Sequence, residues 1–287
     1  MRTICTLLLA CLGCLQVIAG DLPAYALYTG KGKPVKFEQM CKVLSQKQVI
    51  LFGEFHDDAI AHWLQLKTTE VLYTLKNGKL VLGAEMFEAD MQGPLSNYIQ
   101  GRTDEETFKK AVTSLWVNYK TDYRPLVELA RARSLHFAAC NVPRYIARYV
   151  YRQGFAALDT LPAEVKSLLP PLPIPYDAGL PGYRAMLEMG GGHGGENLPK
   201  AQAIKDATMA YQITKNMKDG HSLIHYNGAY HSNHYEGIVW YLKQYAPQLS
   251  VGTITTVRQK DVRRLEKEHI GTADFIICVD ESMTKTH

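Results

Sequence analysis

Short apolar runs punctuate the chain, and the first four give way to polar, chemistry-bearing residues before a helical pattern resumes. Gln48 to Phe52 empties into Gly53, Glu54, Phe55 and His56, and Lys79 to Phe87 carries Glu85 near its far end. Leu135 to Val142 reaches Asn141 and then Arg144, and Ser222 to Tyr230 leads into His231. Val251 to Val257 and Phe275 to Val279 have similar length and composition. Runs this short and rich in aliphatic residues read as strands. Between them lie helical patterns. Ala59 to Lys76 sets Ile60, Leu64, Val71, Leu72 and Leu75 on one stripe and stops at Asn77-Gly78. Ser96 to Ala132 reads as mostly helical, with Leu115, Trp116, Leu126, Leu129 and Ala130 turned to the core. Further helices are expected from Arg144, over Leu198 to Met217 and over Gly237 to Tyr245, with a charged, solvated stretch at Arg258 to His269. The alternation predicts one α/β domain over residues 21–287, a mainly parallel β-sheet flanked by helices.

One stretch breaks the rhythm. From about residue 160 to 197, Pro162, Pro170, Pro171, Pro173, Pro175 and Pro181 precede a glycine-rich run that holds His193. Such irregular segments tend to be binding loops, so a helical, Pro/Gly-rich lid insertion is expected, with an interdomain linker as the plainer alternative. Residues 1–20 read as an export signal: Arg2, an apolar core from Ile4 to Leu15, and a small-residue cleavage site at Val17-Ile18-Ala19. Leu8-Leu9-Ala10-Cys11 also fits a lipobox, so soluble export and a membrane tether by lipid on Cys11 both fit. Export places the mature protein in the periplasm or on the outer membrane as a lipoprotein. Of six cysteines only Cys41, Cys140 and Cys278 lie beyond the leader, too few and too scattered for a disulfide framework. A net charge of +4 without a dense basic-aromatic cluster argues against nucleic acid as a partner.

The candidate chemistry sits at the carboxyl ends of strands, where open α/β sheets bind ligands. Glu54 and His56, two apart in extended backbone, project to the same side. That pair fits a metal site, an acid/base pair or a polar clamp; the bland alternative is a helix N-cap at Asp57 or Asp58 beside a hydrogen-bonded histidine. Arg144, Arg148 and Arg152 repeat at four-residue spacing; Arg144, nearest the crevice, is the candidate to hold a carboxylate, and the other two read as a solvated stripe. His231 and His234 share a face if the segment after Tyr230 is helical, while His221, His225 and His234 read as ordinary polar residues.

Taken together, LFGEFHDD, GAEMF, NVPR, KDATMA and NGAYH, in this order from about Val49 to Leu242, resemble the ChaN-like haem-binding uptake proteins of the Tiki and erythromycin-esterase superfamily. The resemblance implies an α/β core with Glu54, His56, Glu85 and His231 around a polar pocket, supported by Asn141, Arg144 and Asp206. It also implies haem held between two subunits of a homodimer with an axial tyrosine. The tyrosine falls in the variable insertion, so Tyr183 is the first candidate and Tyr176 the second, with His193 as supporting histidine and Arg144 for the propionates. Other branches imply an alternative, a metal-dependent hydrolase in which Glu54, His56, Glu85 and His231 hold a divalent ion and act on a peptide or ester. A third possibility is an inert buried polar network in an interaction protein.

Overall fold

The computed structural model describes residues 22–112, 115–189 and 195–287. In chain order it contains β1 (Tyr25–Thr29), α1 (Phe37–Leu44), β2 (Val49–Glu54), α2 (Ala59–Leu75) and β3 (Leu80–Glu88). Next come α3 (Gln92–Ile99), α4 (Glu105–Ala111), α5 (Arg124–Ala132), β4 (Phe137–Asn141), α6 (Arg144–Gln153) and α7 (Ala163–Lys166). The chain continues through α8 (Pro181–Met189), α9 (Asn197–Asn216), β5 (Ser222–Gly228), α10 (Ile238–Tyr245), β6 (Val251–Gln259) and β7 (Phe275–Asp280).

All seven strands form one sheet in the order β1-β7-β6-β2-β5-β3-β4, parallel except for β1, which runs antiparallel on the β7 edge. The central strands are buried on both faces, which explains why Val49–Phe52 and Leu80–Leu82 read as unbroken apolar runs rather than alternating ones. One face packs under α2 and the helices of residues 92–132, around Phe52, Leu64, Phe87, Tyr98 and Phe137. The other packs under α6, α9 and α10, around Val49, Val81, Ile146, Ile204 and Tyr241. Cys41, Cys140 and Cys278 are free and buried, and burial pushes each thiol up to about 12.

The sheet order is what assembles a site. β5 lies between β2 and β3, with Glu54 in register with Gly228 and Ala84 with Tyr226. The carboxyl ends of three adjacent strands therefore bring Glu54, Glu85 and the segment after Gly228 to one mouth.

Several expectations are corrected in detail. The fourth predicted strand stops at Gly228 because Ala229–His231 turn into a 3-10 helix. His231 and His234 do not share a helical face: a second 3-10 turn begins at Asn233, and His234 sits at φ 57°. Residues 96–132 are mostly helical as expected, the helical residues divided among α3, α4, a π turn at Tyr119–Tyr123 and α5. β1, unforeseen, is held by five register pairs to β7. The chain's last residues form a strap: Thr286 N–H donates to the Asp57 carbonyl at 3.0 Å, and Lys285 Nζ meets Asp57 Oδ2 at 2.8 Å.

Candidate functional site

The first half of the site is built on Glu54, at the end of β2 and buried. His56 Nδ1 lies 2.9 Å from its Oε1, and the Tyr123 hydroxyl donates to the same oxygen at 2.7 Å. Its Oε2 accepts from Gln65 and lies 3.2 Å from His62 Nδ1. The opposite nitrogen of His62 donates to the His56 carbonyl at 3.0 Å and faces Asp122 at 3.5 Å. Both ring nitrogens of His62 thus meet oxygen acceptors, the environment of an imidazolium. Burial alone would lower the His62 pKa, but Glu54 above all, with the His56 carbonyl and Asp122, raises it to about 9. Burial alone would raise the Glu54 carboxyl; His62 and His56 overcome this and hold it at about 2.

The second half is built on Glu85 of β3. The Gly228 N–H donates to its Oε2 at 2.8 Å, and His231 Nε2 sits 3.1 Å from its Oε1. His231 Nδ1 lies 2.5 Å from Asp206 Oδ1, on α9. His231 is therefore clamped between two carboxylates. Despite burial, Glu85 and Asp206 raise its pKa to about 10. Burial works against the Glu85 carboxylate, yet His231, His56 and the Gly228 N–H draw its pKa far below the carboxylate range. Asp206 moves the other way: burial raises its pKa despite His231. Tyr183, from α8, donates to Asp206 Oδ2 at 2.9 Å; burial and that carboxylate push its phenol far above the usual range.

Where the two halves meet stands His56. Its side chain is 41% exposed, whereas those of Glu54, His62, Glu85 and His231 are all buried. Glu54 holds Nδ1, so Nε2 is the nitrogen left for a ligand, the usual second-sphere arrangement that orients a metal-binding imidazole. The Trp116 ring packs edge-on at 4.6 Å on one side. Gly228 lies on another: a Cβ there would fall 2.9 Å from His56 Cε1, so glycine is what makes room for the ring. Burial opposes protonation of His56, but Glu54 and Glu85 outweigh it and raise its pKa.

Other expected residues lie elsewhere. Arg144 does hold a carboxylate, but that of Glu88: Nε meets Oε1 at 2.9 Å, and the backbone N–H donates to Oε2 at 3.1 Å. Its guanidinium also lines a cavity of about 380 Å³ together with Asp90 and Tyr145. Asn141, buried at the end of β4 opposite Glu88, has a side-chain oxygen with no partner among the described residues. Tyr176 is half-buried and stacked on Tyr183 with ring centroids 5.7 Å apart, so it reaches the site only through that residue. His193 lies outside the described residues.

A preassembled divalent-metal set is also absent from the four-residue cluster. Among the described residues, Glu266, Glu268 and His269 are the group of three whose donor atoms lie within 4.8 Å of one another. No three of Glu54, His56, Glu85 and His231 do so.

The residues that sequence reasoning missed are His62, Gln65, Asn118, Asp122, Tyr123 and the role of Trp116. The first two had a signal: Asp58, His62, Gln65 and Thr69 fall at helical spacing and form a buried polar stripe on α2. Asp58 caps that helix, accepting from Ala61 N–H at 2.9 Å. The others had none, since a π turn directs Asn118, Asp122 and Tyr123 inward and such turns leave no periodic trace.

Residues 40–242 match the model of a family described as haem-binding uptake, Tiki superfamily, ChaN. A solved structure of cofacial haem binding to ChaN of Campylobacter jejuni aligns with a TM-score of 0.64 at 17% identity, over 88% of this chain and 96% of that one. A succinoglycan biosynthesis protein aligns with a TM-score of 0.51 at 10% identity, over 92% and 96%. At these identities the likeness is one of fold. The chloroplastic protein RETICULATA-RELATED 5 of Arabidopsis thaliana is 26% identical over 151 residues, 50% of this chain and 20% of the relative. The chain thus spans about a fifth of that relative's length.

Proposed function

Because the chain belongs to the ChaN family of haem-binding uptake proteins in the Tiki superfamily, we propose that it binds haem at the mouth formed by the ends of β2, β5 and β3. The observation that carries this reading is the exposed His56 imidazole, oriented through Nδ1 by Glu54 with its other nitrogen left for a ligand. The surroundings fit a flat apolar ligand. Trp116 lies against His56, the neighbouring Val117 is 88% exposed, and Tyr230 and Leu187 offer further exposed apolar surface. Arg184, exposed on α8 and without an ion pair among the described residues, is a cation available to a propionate.

In this proposal His56 is the first candidate for axial ligand and Tyr183 the second. The Tyr183 phenol donates to Asp206, so to hold ferric iron it would have to give up that hydrogen bond and its proton, which Asp206 is placed to accept. Tyr176, stacked on it, would follow the same movement. The glycine- and proline-rich insertion would then act as the lid. The leader-like residues 1–20 support export, with or without a lipid on Cys11. A ligand left open on one face at this mouth suits a second copy of the chain.

Haemin titrated into the purified protein is expected to give a shifted Soret band. His56→Ala should weaken binding at least tenfold, and Tyr183→Phe should alter the charge-transfer region if the phenolate contributes. No spectral shift, or one indifferent to His56, Tyr183 and Tyr176 alike, would sink the proposal.

One observation favours a second reading, hydrolysis. His231, protonated at neutral pH between Glu85 and Asp206, is placed as a proton donor beside the Glu54–His56 pair. Under this reading, turnover appears in a panel of esters and peptides and is lost in His231→Gln. Absence of turnover across the panel, with and without Mn²⁺ or Zn²⁺, would dismiss it.

A further inference from the structure

Away from the Glu/His mouth, the sheet leaves an opening. β7 begins opposite Ile254, so Val251–Thr253 of β6 have no strand on that side. The Asp274 side chain stands in for the missing ladder: its Oδ2 accepts the Thr253 N–H at 2.9 Å, and its Oδ1 accepts the Tyr235 hydroxyl at 3.1 Å. Beside this edge is a cavity of about 630 Å³, within the size range of small-molecule sites. Its walls include Phe275, Val43 and the Tyr235 ring, and Lys31, Lys33 and Lys47 also line it. Val43 is 51% exposed on α1, an aliphatic residue left uncovered at this position.

Three features set the cavity apart from an ordinary surface dip. None of the three lysines has an ion pair among the described residues, and Asp274, whose two oxygens accept from the Tyr235 hydroxyl and the Thr253 N–H, is the one carboxylate in the lining, so positive charge is in excess beside apolar surface. Tyr235 is carried there by strained backbone: His234 and Tyr235 are consecutive non-glycine residues at φ 57° and 60°, a conformation that persists only where the surrounding structure demands it. Finally, Lys47 lies two residues before β2, whose opposite end carries Glu54, so the site is distinct from the mouth assigned to haem.

We propose that this cavity binds a small amphipathic carboxylate, with its apolar body against Val43, Tyr235 and Phe275 and its carboxylate among Lys31, Lys33 and Lys47. An apolar body alone would leave the lysines mutually repelling, and a bare inorganic anion would leave the wall wet. A ligand with both parts satisfies both. The body is either linear, as in a fatty acid, or aromatic, and two probe pairs separate these sources.

The full chain is titrated calorimetrically with octanoate and 2-naphthoate, and with their neutral counterparts octanol and 2-naphthol. At least one acid should bind, at least tenfold more tightly than its alcohol, and raising the salt should weaken that binding. Which acid wins identifies the body. Lys33→Glu, at an exposed position, combined with Lys47→Glu, at a half-buried one, should remove the preference for acid over alcohol, and Val43→Asp should weaken both. Binding of neither acid, equal binding of acid and alcohol, insensitivity to salt, or affinity unmoved in the lysine variant would each overturn the proposal. Because haemin binding is read separately through His56, either result stands without the other.

Discussion

At the scale of single residues, two buried imidazoles set the pH behaviour of the molecule. His62 and His231 have pKa values raised from 6.5 to about 9 and about 10 by the carboxylates that hold them. A group held up in the folded state contributes stability that is complete below its unfolded pKa and is lost as pH rises through the folded one. Their share therefore fades between about pH 6.5 and 10. Glu54 works on the other side: with its pKa lowered from 4.5 to about 2, its share is present above 4.5 and is lost as pH falls toward 2. Burial holds the Asp206 carboxyl above 3.8, so its share begins to be lost as pH rises past that value. Thermal melts should show a plateau between about pH 4.5 and 6.5 with a fall on either side, and His62→Gln should flatten the alkaline limb. A melting temperature constant from pH 6 to 10 would contradict the imidazolium assignment.

At the scale of elements, the sequence revealed the strands and left their neighbours obscure, for identifiable reasons. β2, β3 and β5 were readable because burial on both faces demands continuous apolar runs, and the ends of those runs pointed to Glu54, Glu85 and His231. β1 was not readable: five residues of mixed burial on an edge carry little pattern. Nor could spacing show that Asp206 on α9 would engage His231, because that contact depends on how α9 crosses the sheet. The most consequential element is α8. Its amino end is fastened to the segment after β5, with Gly182 N–H donating to Glu236 at 2.7 Å and its carbonyl accepting from the Tyr230 hydroxyl at 2.6 Å. The next residue, Tyr183, fastens it to Asp206. Tyr183→Phe should therefore speed hydrogen exchange across α8 while leaving β2 and β5 protected. Unchanged exchange in α8 would mean that the phenol does not restrain the helix.

For the whole molecule, placing β5 between β2 and β3 does more than complete a sheet, because it closes the distance between two acid/imidazole groups that are far apart in sequence. The strap at residues 285–286 reaches the same region from the chain's end, where the Thr286 hydroxyl donates to Asp122 at 2.6 Å. The buried thiols have a practical consequence. Cys41, Cys140 and Cys278 are sealed inside and kept protonated, so in a chain without residues 1–20 a thiol-directed dye finds no native target until the fold opens. One cysteine introduced at exposed Val117, next to Trp116, could then carry a fluorophore to the rim of the mouth, where arrival of a dark, strongly absorbing ligand would quench it.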